Sequence, residues 1–465
     1  MDSSVEKDSQ RNFNHVSYTH LDVYKRQIVG TNHAGIAAAN TLLDNFEDQE
    51  VVMIDRNNNL SYLGCGTALW VGRQIDSYEN LFYTKREDFE AKGAKISMET
   101  TVDRIDYDKK EVHCIDKNGE AFVESYDKLI LATGSVPISP KVPGRDLKNI
   151  HFLKRFQDGQ AVDQLLSTEG INKVAVIGAG YIGVEIAEAA KRRGKDVLLF
   201  DAMERSLPSY YDKWFTDDMD AILQEHEIEL HFGELALEYK GADKVESIVT
   251  DKGEYGVDLV INAIGFLPNN ELGKEYLELF KNGAYLVDRH QQTSDPDVYA
   301  VGDCATIYSN ALQDTTYIAL ATNAVRSGIV AGYNVGGVGL ESTGVQGSNG
   351  ISIFGLHMVS TGLSVEAAAK NGIKVKYTDF EDLQRPGFMK ENATVKIRIV
   401  YEEDSRRVVG AQLSSTEDIS AVIHMFSLAI EEQVTIDKLK LLDIFFLPHF
   451  NQPYNYITMA ALGAE

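Results

Sequence analysis

Short, unbroken apolar runs alternate along this chain with stretches in which apolar residues recur at helical spacing. Val51-Val52-Met53-Ile54, Val174-Ala175-Val176-Ile177 and Val197-Leu198-Leu199-Phe200 read as strands buried on both faces of a parallel sheet. Lys128–Leu131, Leu259–Asn262 and Val298–Val301 read the same way. Two regions repeat one arrangement. Ile28-Val29-Gly30 leads into a small-residue helix, Ala34 to Leu43, then a strand ending at Asp55. Val174–Ile177 leads through Gly178 into a helix from Tyr181 to Arg193, then a strand ending at Asp201. Strand, glycine turn, helix, strand and acid make the βαβ unit of a dinucleotide fold, here present twice. From about residue 330 the pattern changes. Glycines cluster at Gly336, Gly337 and Gly339, strands follow at 396–400 and 408–413, and helices at 421–431 and 436–441. The predicted fold is α/β, with two Rossmann-like dinucleotide-binding domains and a C-terminal α+β domain.

The start of the chain breaks this pattern. Residues 1–24 are polar and lack the apolar core of a signal peptide. Lys25, Arg26 and Gln27 stand where a buried first strand should begin. Residues 1–27 are therefore expected to be a non-native or disordered extension, a vector or assembly-junction remnant; a natural polar extension is the alternative. The expected divisions are then 28–149 with 270–329, 150–269, and 330–465.

The length of 465 residues suits about three domains. The formal net charge of -25 repels phosphate backbones and anionic lipid, so neither nucleic acid nor membrane is expected as a partner. No apolar run is long enough to span a bilayer. Three cysteines, Cys65, Cys114 and Cys304, make no disulfide framework and have no zinc-site spacing. They fit a reducing, cytoplasmic setting.

The second unit carries a full glycine motif, Gly178-Ala179-Gly180-Tyr181-Ile182-Gly183. Its glycines allow a tight turn, close approach to a pyrophosphate and close helix–strand packing, with the helix N-terminus facing the phosphates. Asp201 can accept ribose hydroxyls and would repel a 2′-phosphate, so NADH is expected rather than NADPH. The first unit departs from the pattern, reading Gly30-Thr31-Asn32-His33-Ala34-Gly35 with Asp55 as its acid. FAD on the first unit and NADH on the second is the usual order in two-dinucleotide enzymes. Ala132-Thr133-Gly134-Ser135, after a buried strand, and Asp303, after Val301-Gly302, suit contacts to FAD.

Cys65 lies between Gly64 and Gly66 at an expected helix start. There a thiolate would be stabilised and its pKa lowered. The competing reading, a small buried hydrophobe, fits Cys114 and Cys304 better. Dithiol reductases space two cysteines by four residues, whereas Trp70 follows Cys65 at that spacing and Ser61 precedes it. Cys65 is therefore expected to cycle alone, as thiol and sulfenic acid or as a mixed disulfide. His33, in the first glycine turn, is its expected partner. His449 reads as structural, or as a support to residues that line the site.

Taken together, these residues resemble the single-cysteine branch of the pyridine nucleotide–disulfide reductase family, which contains NADH oxidases, NADH peroxidases and coenzyme A-disulfide reductases. The resemblance rests on Asn32–Gly35, Gly64-Cys65-Gly66, Gly178–Gly183 and Leu320–Ala324, and spans nearly the whole chain from Ile28. The segment Phe445–Tyr456 looks like that of water-forming NADH oxidases of lactic acid bacteria and lacks the tyrosine-alanine-proline-proline run usual in coenzyme A-disulfide reductases.

The resemblance implies a homodimer built through the last domain. It implies that Cys65 is the redox cysteine and His33 the active-site histidine. It implies FAD contacts from Arg56, Val102, Lys154, Ala319, Leu320 and Ala321 beside the motif residues. Tyr181 would cover the flavin where nicotinamide enters, with Glu185 lining that site and Tyr210, Gly265 and Gly350 completing it. The expected reaction is 2 NADH plus O2 and 2 H+ giving 2 NAD+ and 2 water. Reduction of hydrogen peroxide by NADH, then coenzyme A-disulfide reduction, are the alternatives. A redox sensor with a vestigial flavin is the reading from another class, and both glycine motifs speak against it.

Overall fold

A computed structural model of the chain describes residues 24–465. The expected extension is outside the described residues as far as residue 23. Tyr24–Gln27 are inside them and begin a strand, Tyr24–Val29. This strand pairs in parallel with Gln49–Ile54 on one side and Lys128–Leu131 on the other. Backbone pairing places Arg26 and Gln27 in the sheet interior despite their polarity, and Gln27 is fully buried. Its Nε2 donates to the Ser125 carbonyl at 3.0 Å, while Oε1 has no partner.

The first sheet is wholly parallel, in the order Val298–Ala300, Lys128–Leu131, Tyr24–Val29, Gln49–Ile54, Lys95–Ser97. The second is also parallel: Ile228–Phe232, Asp196–Asp201, Lys173–Ile177, Leu259–Asn262, Ile150–His151. The apolar runs read from the sequence are strands of these two sheets, interior ones except Val298–Ala300, which lies at an edge of the first. The third sheet is antiparallel, from Asn349–Ile353 to Thr394–Glu402 and Val375–Leu383. The α/β expectation with a C-terminal α+β unit therefore matches the architecture.

The internal echo extends into hydrogen bonding. The Gly30 N–H donates to the Ile54 carbonyl at 2.8 Å, and the Gly178 N–H donates to Phe200 at 2.7 Å. Each glycine has positive φ, +112° and +102°. A Cβ on Gly30 would lie 2.2 Å from the Ala132 carbonyl oxygen, and one on Gly178 would lie 2.5 Å from that of Ala263. Glycine is needed at both turns because neighbouring backbone occupies the side-chain position.

The first sheet is closed by a helix from much later in the chain. Ala321–Val335 lies along His33–Asn45, and glycines let the two approach. A Cβ at Gly328 would stand 2.3 Å from the Ala34 carbonyl oxygen, and one at Gly332 2.7 Å from Thr41 Cβ. This helix runs past the expected boundary at 329, and the third sheet begins only at Asn349.

Candidate active site

Cys65 sits in a single 3-10 turn, Gly64–Gly66, followed by a five-residue helix, Thr67–Val71. That helix is wedged against two others. Trp70 and Val71 pack with Val162, Leu166 and Ala189 in the largest apolar cluster. Gly66 allows the turn to lie against Leu81, whose Cδ2 would be 2.3 Å from a Cβ there. Cys65 is thus held by packing, and no dithiol forms: Cys114 and Cys304 are free and buried elsewhere, as expected of structural thiols.

The expectation of a lowered Cys65 pKa is not met. Burial pushes the thiol up, the Glu185 carboxylate adds to the rise, and Lys154 opposes both. The helix behind the turn is too short to offset the loss of water. Cys65 nevertheless opens onto a cavity of about 320 Å³ that it shares with Glu185, Glu188, Gly350, His357 and Asp418. Burial, aided by the Glu188 charge, raises Glu185 to about 7.

His33 begins the helix His33–Asn45, where Asn32 provides no side-chain cap. Burial lowers its pKa; Asp303 opposes this and Lys154 adds to it. Lys154 Nζ donates to Ser135 Oγ at 2.8 Å and pairs with Asp303 Oδ2 at 3.1 Å, and Ser135 Oγ donates to the same carboxylate at 2.8 Å. From the sequence, Asp303, Ser135 and Lys154 are expected to make separate contacts to a cofactor. The structure makes them one polar group whose charges reach both His33 and Cys65.

The two acids ending the βαβ units have a role the sequence reading missed. Asp55 Oδ2 accepts from the Thr31 N–H at 2.7 Å and from Thr31 Oγ1 at 2.9 Å. Asp201 Oδ2 accepts from the Ala179 N–H at 2.6 Å, and its Oδ1 from the Met203 N–H at 2.8 Å. Each acid braces its own glycine turn. Thr133 Oγ1 likewise pins the Ala132–Ser135 turn by donating to the Asn269 carbonyl at 2.6 Å.

The turns themselves fit phosphates. Nothing lies within 4 Å of a Cβ position at Gly180 or Gly134, so backbone there is open to a close-approaching group, while Gly35 and Gly183 are filled by their own turns. The helices starting at His33, Tyr181 and Ala321 have neither a side-chain cap nor an acid in the first turn. Their N–H groups are left for an anion. Arg56 is exposed and has no hydrogen bond or ion pair among the described residues. Leu320 is the residue before the Ala321 helix, and Ala319 beside it is exposed.

Other expected residues are distributed as follows. Tyr181 packs edge-on against Tyr210 at 4.4 Å, and its hydroxyl bonds to Tyr211 at 3.0 Å and to Asn349. Ile182 packs on the largest core cluster. Gly265 accepts from the Ile138 N–H at 3.0 Å. Val102 is the exception in kind: it pairs with Cys114 in a peripheral antiparallel sheet and packs there. Tyr83 and Asn349 were not found from the sequence. Neither lies in a motif, and only the fold brings them to His33 and Tyr181.

A family model described as pyridine nucleotide-disulphide oxidoreductase matches residues 24–328, and one for the dimerisation domain of that family matches 350–455. The chain belongs to this family. It is an oxidoreductase of the pyridine nucleotide-disulphide type. It is 64% identical to an NADH oxidase of Lactococcus lactis over 442 residues, covering 94% of this chain and 99% of the relative. Among solved structures it is similar to a water-forming NADH oxidase from Lactobacillus brevis bound to NADH. That match has 38% identity and a TM-score of 0.92, covering 94% of this chain and 97% of the other. An engineered variant of that enzyme, a water-forming NADPH oxidase bound to NADPH, is 36% identical with a TM-score of 0.92 and the same coverage. It differs by replacement of a glycine, a consecutive Asp-Ala-Met triple and a proline. No helix among the described residues is long and apolar enough to cross a membrane.

Proposed function

We propose that this chain is an FAD-dependent NADH oxidase that reduces O2 to water, with Cys65 as its only redox thiol. The observation that carries this is Cys65 itself. It is a lone cysteine opening onto a cavity shared with Glu185 and Gly350, with the other two thiols buried elsewhere. Its similarity to an NADH oxidase and to a water-forming NADH oxidase supports the same reading.

The open backbone at Gly134, the uncapped helices at His33 and Ala321, and Arg56 fit an FAD with its pyrophosphate on the first unit. The open backbone at Gly180 and the uncapped Tyr181 helix fit NADH on the second. FAD bound there supplies a two-electron relay between nicotinamide and oxidant.

The residues then have distinct tasks. Tyr181 and Tyr210 border the nicotinamide entry, and Asp201 selects the ribose. This chain carries Gly183, Asp201-Ala202-Met203 and Pro208 in the order and spacing of the positions changed in the engineered NADPH oxidase, which supports Asp201 as the selector. Two electrons from the first NADH and two protons take O2 to hydrogen peroxide, and the Cys65 thiolate attacks one of its oxygens. An S–O bond forms, the O–O bond breaks, and the departing hydroxide takes a proton to leave as water. Glu185, which titrates near 7 and shares the cavity with Cys65, gives that proton. The sulfenic acid returns to thiolate with two electrons from NADH and one proton, releasing the second water.

The assembly in this reading is a homodimer in a reducing compartment. Exposed Leu428, Leu441, Phe445, Phe446, Phe450 and Tyr454 within the dimerisation-domain match support the first point, and three free cysteines the second.

Oxygen-electrode stoichiometry with limiting NADH tests the proposal. Two NADH per O2, with no oxygen returned by catalase, is the expected result. One NADH per O2 with oxygen returned would make peroxide the product. NADH loss only when peroxide is supplied would make the enzyme a peroxidase.

A further inference from the structure

The Tyr83 hydroxyl lies 3.0 Å from His33 Nδ1, and the two rings stack with centroids 5.7 Å apart and planes within 9°. His33 Nε2 has no hydrogen-bond partner among the described residues. Both rings come from segments tied to the Cys65 loop through one buried residue. The Ser61 N–H donates to the Thr31 carbonyl at 3.1 Å, next to the His33 turn. Ser61 Oγ donates to the Thr84 carbonyl at 2.7 Å and accepts from the Thr84 N–H at 3.2 Å, next to Tyr83. The Leu63 N–H donates to the Leu81 carbonyl at 2.8 Å, two residues from Cys65. Ser61 is fully buried and holds φ at +63°, so this junction is rigid.

On the functional reading above, we propose that Tyr83 is the positioning residue of His33. Its hydroxyl donates to Nδ1, fixing the ring plane and the tautomer, so that Nε2 carries the proton and donates to the peroxide that Cys65 attacks. Burial raises Tyr83 to about 12, so the hydroxyl keeps its proton at working pH. Burial also keeps His33 below its ordinary value, so the ring is neutral and its Nδ1 lone pair is available. The charged groups acting on His33 are Asp303 and Lys154, which oppose one another and are themselves paired. They leave the hydroxyl to decide which nitrogen holds the proton.

The test is a double-mutant cycle on the FAD-loaded enzyme, reading hydrogen peroxide released per NADH consumed. Tyr83→Phe keeps the stacked ring and removes only the hydroxyl. The ratio should rise about tenfold, the size expected from losing one hydrogen bond at the transition state. His33→Ala should raise it at least as far, and Tyr83→Phe on top of His33→Ala should add nothing. A fold defect lowers turnover and flavin content together and does not change this ratio. An unaltered ratio in Tyr83→Phe overturns the proposal, as does an effect that adds in full to His33→Ala. Cys65→Ser separates this from the underlying reading. If that variant releases peroxide, the site is as described and the cycle judges Tyr83 alone. If it makes only water, the Cys65 reading falls and the proposal falls with it.

Discussion

The Asp201 carboxylate and the Ala179 backbone N–H are 2.6 Å apart, so the acid at the end of one strand holds the glycine turn at the end of its neighbour. Each carboxylate oxygen accepts one backbone donor here and keeps a second lone pair for a ribose hydroxyl. Replacing the acid therefore has two effects. Asp201→Ala should lower the ratio of kcat/KM for NADH to that for NADPH by about tenfold or more, because one charge-assisted hydrogen bond is lost and one repulsion removed. It should also loosen the turn and lower the melting temperature. Coenzyme kinetics check the first effect; an unchanged ratio would mean that the acid only braces the turn.

Cys65→Ser should still consume NADH and O2 but release hydrogen peroxide in place of the second reduction. Peroxide assay with horseradish peroxidase reads this directly. Water as the sole product would remove Cys65 from the chemistry.

Glu185 gives a pH dependence with a definite sign. Its folded value of about 7 stands above the ordinary 4.5. Between those pH values the folded state holds more protons than the unfolded one, so stability falls as pH rises through this window and levels off above it. Glu185→Gln cannot ionise and should be more stable than the parent above pH 7, by up to about 3 kcal/mol, with little difference at pH 4. Urea midpoints at the two pH values measure it; equal midpoints at pH 8 would refute the assignment.

Gly30→Ala would force a positive φ on a side chain and press its Cβ onto the Ala132 carbonyl. A loss of roughly 1–3 kcal/mol from the backbone alone is expected, together with weakened flavin retention. The ratio of 450 nm to 280 nm absorbance after gel filtration reports retention, and full retention would show that the turn can open.

Gln27 offers the reverse case. Its buried Oε1 lacks a donor in the middle of the first strand. Gln27→Val should stabilise the protein by about 1 kcal/mol or more, removing an unsatisfied acceptor and restoring the apolar run. A thermal melt that moves down would mean that the Ser125 contact outweighs the orphaned atom.

The sequence was most legible where chemistry and chain order coincide. Gly178–Gly183, Asp201 and the apolar strands around them could be placed because the whole βαβ unit is contiguous. Cys65 and His33 could be singled out by residue type and neighbours. The thiol's raised pKa could not, because it depends on walls supplied by Glu185 and by packing around a helix of only five residues. Tyr83 and Asn349 were invisible for a related reason. A lone tyrosine or asparagine carries no pattern, and its partner is chosen by tertiary approach. Lys25-Arg26-Gln27 shows the limit from the other side: their polarity argued against a strand, yet parallel pairing with residues 50–52 incorporates them.

The pairing of His33–Asn45 with Ala321–Val335 has a consequence for synthesis. The first sheet acquires its outer strand at residue 298 and its covering helix only after residue 321, while the second parallel sheet is complete by residue 262. A chain emerging from the ribosome can therefore finish its second sheet while the first still lacks an edge and a face. The site assembled around Cys65 is the later product, and translation must run through most of the chain before a flavin has a closed pocket to enter.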